Sequence, residues 1–110
     1  MIPQLGEVWM VDMGIAGKVR PTVIVLDDAV GVERTLIVHI PITSQNRGSA
    51  LEVPLGHLRF LTSDSVANIQ AIGSLPKTRF ERKMGVLPSA DLAKIKKAMR
   101  LAFNITWVLT

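Results

Sequence analysis

Apolar and polar positions alternate at strand spacing through most of this chain and change to helical spacing near its end. Glu7-Val8-Trp9-Met10-Val11-Asp12-Met13 predicts a first strand. Gly14 to Lys18, which holds two glycines, predicts the tight loop of a hairpin leading into Arg20-Pro21-Thr22-Val23-Ile24-Val25-Leu26. Asp27-Asp28 and Gly31 mark the next turn, and from Arg34 to Ile42 the chain is apolar and β-branched, long enough to cross a small barrel. Ser44 to Ser49 reads as a polar loop and Leu51 to Pro54 as a short strand. Ser65 to Gln70 and Ala71 to Leu75 alternate well enough to be strands, and Lys77 to Lys83 reads as a charged turn region.

The last element differs. Ser89 is placed to cap a helix and Asp91 suits its first turn. Leu92, Ile95, Met99, Ala102, Phe103 and Thr106 repeat at helical spacing, with Lys96, Lys97 and Arg100 on the outward face. Five or more short strands, no βαβ alternation and one closing helix predict a mainly β (α+β) fold. Its form is a strongly bent antiparallel sheet or partly open barrel with a C-terminal helix.

The chain has 110 residues, enough for one core and too few for two, so residues 1–110 are read as a single domain. It has no cysteine, which excludes disulfides and Cys-containing zinc sites, and His39 and His57 lack metal-site spacing. No metal or cofactor is expected. The apolar runs are too short to span a bilayer and the N-terminus lacks a basic segment followed by an apolar core, so a cytoplasmic protein without membrane contact is expected. The net charge of +4 favours a polyanionic partner. Its distribution sharpens that reading. Before Lys77 there are five basic side chains against seven acidic, whereas Lys77, Arg79, Arg82, Lys83, Lys94, Lys96, Lys97 and Arg100 face only Glu81 and Asp91. A solvated helix face accounts for Lys94, Lys96 and Lys97, while Lys77, Arg79, Arg82 and Lys83 are candidates for facing a polyanion.

The candidate chemistry sits at strand ends. Arg20-Pro21 opens one apolar strand and Thr43-Ser44 closes another, so an arginine and two hydroxyls can meet at one edge of a small sheet. Guanidinium is a fixed fork of donors matched to phosphate oxygens, and a hydroxyl donates to whichever oxygen gains charge. A surface ion pair at Arg20 and turn-satisfying hydroxyls at Thr43 and Ser44 are the plain alternatives. His39 is a candidate general base, though a lone histidine in an apolar strand more often packs. His57 reads as a turn residue. Trp9 reads as core or as a contact between two copies, and Trp107 as packing or partner contact.

Four motifs in order, Gly6-Glu7-Val8-Trp9-Met10-Val11-Asp12, Val19-Arg20-Pro21-Thr22-Val23-Ile24-Val25-Leu26, Pro41-Ile42-Thr43-Ser44, and Arg79-Phe80 with Met84-Gly85-Val86-Leu87, resemble the MazF/PemK toxins of bacterial toxin–antitoxin systems. The resemblance implies a small SH3-like barrel, a homodimer, and metal-independent cleavage of single-stranded RNA, usually mRNA. It also implies a cognate antitoxin whose disordered, often acidic tail fills the RNA groove. Under it Arg20 is the catalytic arginine, Thr43 the catalytic threonine and Ser44 a second donor. Lys18, Gln45, Asn46, Arg47, Gln70, Lys77 and Arg79 are the candidate RNA contacts. A barrel that binds nucleic acid or protein without cutting, including a gyrase-inhibiting toxin, is the competing class.

The chain also departs from that pattern. Where many family members carry Gln-hydrophobic-Arg-Thr, a gap-free match puts Ala71, Ile72, Gly73 and Ser74 on those positions and moves the glutamine to Gln70. One residue of shift along a strand turns a side chain to the other face. Either Gln70 leaves the RNA groove or the strand is bulged. The loop from Gly14 to Lys18 is also shorter than in many relatives.

Overall fold

The structure, a computed structural model, describes residues 2–14, 18–26 and 35–106. Among the described residues seven strands and one α-helix follow in chain order: β1 (Glu7–Asp12), β2 (Val19–Ile24), β3 (Leu36–Thr43), β4 (Glu52–Pro54), β5 (Val66–Asn68), β6 (Gly73–Pro76), β7 (Phe80–Val86) and α1 (Ser89–Ala102). All pairings are antiparallel, in the order β4-β5-β3-β2-β1-β7, with β6 also on β3, and the path does not close. The expected bent, open β architecture with a closing helix is present. The Asp27-Asp28/Gly31 turn, Arg34, most of the first loop and Trp107 lie outside the described residues.

Strand β3 is the hinge of the fold. Its first half pairs with β6, from Leu36 opposite Pro76 to His39 opposite Gly73, and its end pairs with β5 at Ile42 and Thr43. Alternation then sends side chains to two cores. Val8, Val23, Ile40 and Ile42 join Leu55, Ile69, Ile95 and Ala98 beneath the helix, whereas Trp9, Val11, Ile24, Ile37 and Phe80 pack on the opposite face. Trp9 is therefore a core residue in this chain, with its indole N–H donating to Glu7 Oε1 at 2.9 Å.

Several local expectations are corrected. The charged stretch after Lys77 is not all turn: only Lys77–Arg79 forms a single 3-10 turn, and Phe80–Val86 is a strand on β1. Its polar run Glu81-Arg82-Lys83 masks the alternation, but register shifts against β1 and the Lys83–Glu7 ion pair at 2.8 Å accommodate it. Pro88, not Ser89, occupies the position before the helix, with no side-chain capping bond, and Ser89 is the first helical residue. Its inward face is Asp91, Ile95 and Ala98 flanked by Leu92 and Met99; Ala102, Phe103 and Thr106 are exposed and Arg100 is half-buried. His57 does more than turn the chain, because its Nε2 lies 2.9 Å from the buried carboxylate of Asp91 and ties the β4–β5 connection to the helix.

Candidate active site

Register brings the predicted residues together. The β2–β3 pairing ends at Thr22 and Pro41, and beyond it Arg20 near the start of β2 and Thr43 at the end of β3 come to the same cleft. Thr43 in turn pairs with Val66 of β5 on its other side. Arg20, Thr43 and Ser44 line one open cleft of about 500 Å³, together with Lys18, Val19, Pro21, Ile42, Thr62 and Ser65. Arg20 and Thr43 are half-buried and Ser44 and Lys18 exposed, so the donors face a space that solvent or substrate fills.

The hydrogen bonding of Thr43 sets its role. Its Oγ1 accepts the Gln45 backbone N–H at 3.2 Å. A hydroxyl has one proton and two lone pairs, so this contact holds the oxygen in place and leaves the proton free to point into the cleft. Arg20 contributes only donors. The wall built by β2 and β3 thus concentrates positive charge and donated hydrogen bonds, the arrangement that stabilises an oxyanion.

A second recess of about 250 Å³ adjoins the first through Thr43 and is lined by Gln45, Arg47, Ser49, Glu52, Asn68 and Gln70. Neither a bulge nor a continuous strand is found at the displaced glutamine: β5 ends at Asn68 and β6 begins at Gly73. Residues Ile69–Ala71 form a 3-10 turn between β5 and β6, and this turn carries exposed Gln70 into the recess beside Thr43. Glu52 organises the opposite side: its carboxylate accepts backbone N–H groups of Ser49 at 2.8 Å and of Arg47 at 3.1 and 3.2 Å. Asn46 lines neither recess and accepts the Gly48 N–H at 2.9 Å, shaping the loop.

Other candidates lie apart. Lys77 is exposed at the end of β6 and lines neither space. Arg79 lies over Gly14, where a Cβ would come within 3.0 Å of Nη1, and donates to the Asp12 carbonyl at 3.4 Å. His39 is buried at 2% exposure and does not reach the cleft. Its Nδ1 lies 2.6 Å from Thr22 Oγ1 and its ring meets Phe80 edge-on at 5.7 Å. Burial holds its pKa below the ordinary histidine value. This is a packed histidine away from the cleft.

Thr62, Ser65, Ser49, Glu52 and Asn68 are site residues that the pattern did not single out. Ser65 reads in sequence only as the start of a strand, and the pairing of β5 with β3 is what lays it against the end of β3.

Comparison with known proteins accords with this geometry. Residues 4–103 match the family model described as PemK-like, MazF-like toxin of type II toxin–antitoxin systems. The Endoribonuclease MazF3 of Mycobacterium tuberculosis is 29% identical over 92 residues, which cover 84% of this chain and 89% of that protein. The structure of the Mycobacterium tuberculosis toxin MazF-mt6 superposes with a TM-score of 0.81 at 26% identity, covering 92% of this chain and 99% of that one. A mycobacterial endoribonuclease solved in complex with its cognate antitoxin gives a TM-score of 0.83 at 25% identity, covering 96% and 99%. With a matched region spanning almost the whole chain and the strand ends carrying Arg20 and Thr43 brought into one cleft, this protein belongs to the PemK-like, MazF-like toxin family of type II toxin–antitoxin systems.

Proposed function

We propose that the cleft cuts single-stranded RNA without a metal, making the protein an endoribonuclease toxin that acts on mRNA in the cytoplasm. The observation that carries this reading is the meeting of Arg20 and Thr43, contributed by two strands, at one open cleft. In the reaction the ribose O2′ bonds to phosphorus, the P–O5′ bond breaks, and one proton passes overall from O2′ to O5′. The products are a 2′,3′-cyclic phosphate and a 5′-hydroxyl. Negative charge grows on the non-bridging oxygens as the bond forms, and there Arg20 supplies a paired-donor fork and fixed charge. Thr43 donates its free proton to the same oxygens, and Ser44 is placed to add a second donor. Lys18 at the rim attracts the backbone.

Gln45, Arg47 and Gln70 in the adjoining recess offer amide and guanidinium groups to the base edges of unpaired nucleotides. A cognate antitoxin with an acidic, disordered segment would neutralise the same basic cleft by occupying it. A homodimer is part of this reading, supported by the exposed apolar side chains of Leu36, Val86, Leu101 and Phe103.

Incubating the protein with mixed-sequence RNA in EDTA and mapping fragment ends tests the proposal. Discrete fragments with 5′-hydroxyl ends are expected, and RNA left intact by folded protein would overturn it.

A further inference from the structure

Beside the donors of Arg20 and Thr43, the same cleft holds a group of opposite hydrogen-bonding character. It is formed by Thr62 and Ser65, which precede β5. Thr62 Oγ1 donates to the Asp64 carboxylate at 2.8 Å and lies 3.0 Å from Ser65 Oγ. Because Thr62 has a single proton and the carboxylate takes it, the contact with Ser65 requires Ser65 to donate. Ser65 is buried and its proton is then spent on Thr62. What remains on Thr62, which lines the cleft, is one lone pair: it can accept and cannot donate.

This acceptor is held firmly. The Leu55 N–H donates to the Ser65 carbonyl at 2.9 Å, and the Ser65 N–H donates to the Thr62 carbonyl at 3.1 Å. Gly56 lets the Ser63 carbonyl pack where any Cβ would collide with it. A fixed acceptor in the same cleft as the donors Arg20 and Thr43 fits a ligand that carries a donor close to its phosphate. In a single-stranded nucleic acid that donor is the ribose 2′-hydroxyl, which every RNA nucleotide has and DNA lacks. Bases have separate amide-lined space beyond Thr43, so they need not occupy this part of the cleft.

We propose that Thr62 accepts a hydrogen bond from a ribose 2′-hydroxyl and so selects RNA over DNA at the binding step, with Asp64 and Ser65 as the positioning residues that fix its lone pair. The inference rests on the cleft being an RNA site.

The test uses two fluorescein-labelled single-stranded oligonucleotides of one mixed sequence. One is fully 2′-amino, which keeps a donor, and the other fully 2′-fluoro, which has none; both resist cleavage. Anisotropy at pH 8 gives the ratio of their affinities for each protein. The wild-type ratio should exceed that of Thr62→Val by about five- to tenfold, the size of one hydrogen bond, and Thr62→Ser should restore it. Taking the quotient of ratios cancels the intrinsic difference between the two sugars. The same ratio in wild type and Thr62→Val overturns the proposal, as does failure of Thr62→Ser to restore it. Cleavage is not needed for this readout. RNA cut normally with an unchanged ratio removes Thr62 alone, whereas RNA left uncut removes the nuclease reading.

Discussion

Two polar pairs lie side by side on one face of β2 and β3, and they have opposite fates. Thr22 and His39 are both buried and satisfy each other at 2.6 Å, with Phe80 closing over the imidazole. Arg20, two residues before Thr22, and Thr43, four residues after His39, line an open cleft. The strands, the face and the pleat are shared. The difference is cover: the core of Trp9, Val11, Ile24, Ile37 and Phe80 shields the inner pair, while the outer pair lies where the strands end. A polar pair inside such a sheet must be self-sufficient, since a buried unpaired group is costly, whereas a pair at the rim can keep donors for a ligand.

The largest break in this comparison comes from the outer pair. Arg20→Ala is expected to lower RNA cleavage by about 10³-fold and Thr43→Val by about 10²-fold, on the scale of removing oxyanion donors. Thermal unfolding should be nearly unchanged, because neither side chain is in the core. A matching loss of melting temperature would show that the outer pair is structural like the inner one.

Breaking the inner pair should do the reverse. Thr22→Val leaves the buried His39 Nδ1 without its partner and is expected to cost about 1–3 kcal/mol of stability. Calorimetry would read this as a melting temperature lower by several degrees. Cleavage per folded molecule should stay near wild type, and a selective loss of activity in Thr22→Val would tie His39 to the chemistry after all.

The smallest effect is on pH dependence. Burial lowers the His39 pKa in the folded state, so over the range between that lowered value and the ordinary 6.5 the unfolded chain binds more protons than the folded one. Stability is therefore full above about 6.5 and falls as pH drops through that range. Glu7 adds in the same direction at lower pH. Burial alone would raise its pKa, but hydrogen bonds from Lys83, Trp9 and Gln4 and the Lys83 charge outweigh burial and lower it. Melting curves from pH 7.5 to 5 should show a decline that His39→Gln flattens; an equal decline in that variant would remove His39 as its source.

Much of this was legible beforehand because strand periodicity is local. The runs around Val8, Val23 and Ile40 announce strands and core by alternation alone, and Arg20-Pro21 and Thr43-Ser44 stand out as polar ends of apolar runs. Strand β7 escaped because Glu81-Arg82-Lys83 breaks alternation at an edge, where side chains on both faces meet solvent. That Pro88 and not Ser89 precedes the helix is a one-residue choice that no spacing reveals.

By itself, then, the order of residues determined the β-rich class, the closing helix and which two strand ends carry an arginine and hydroxyls. Only the tertiary structure decided that Arg20 and Thr43 share one cleft, that a 3-10 turn carries Gln70 to the recess beside Thr43, and that Thr62 and Ser65 join the lining of that cleft. The physical reason is that side-chain direction is set within a few residues, whereas register and the pairing of β3 with β5 depend on contacts between distant segments.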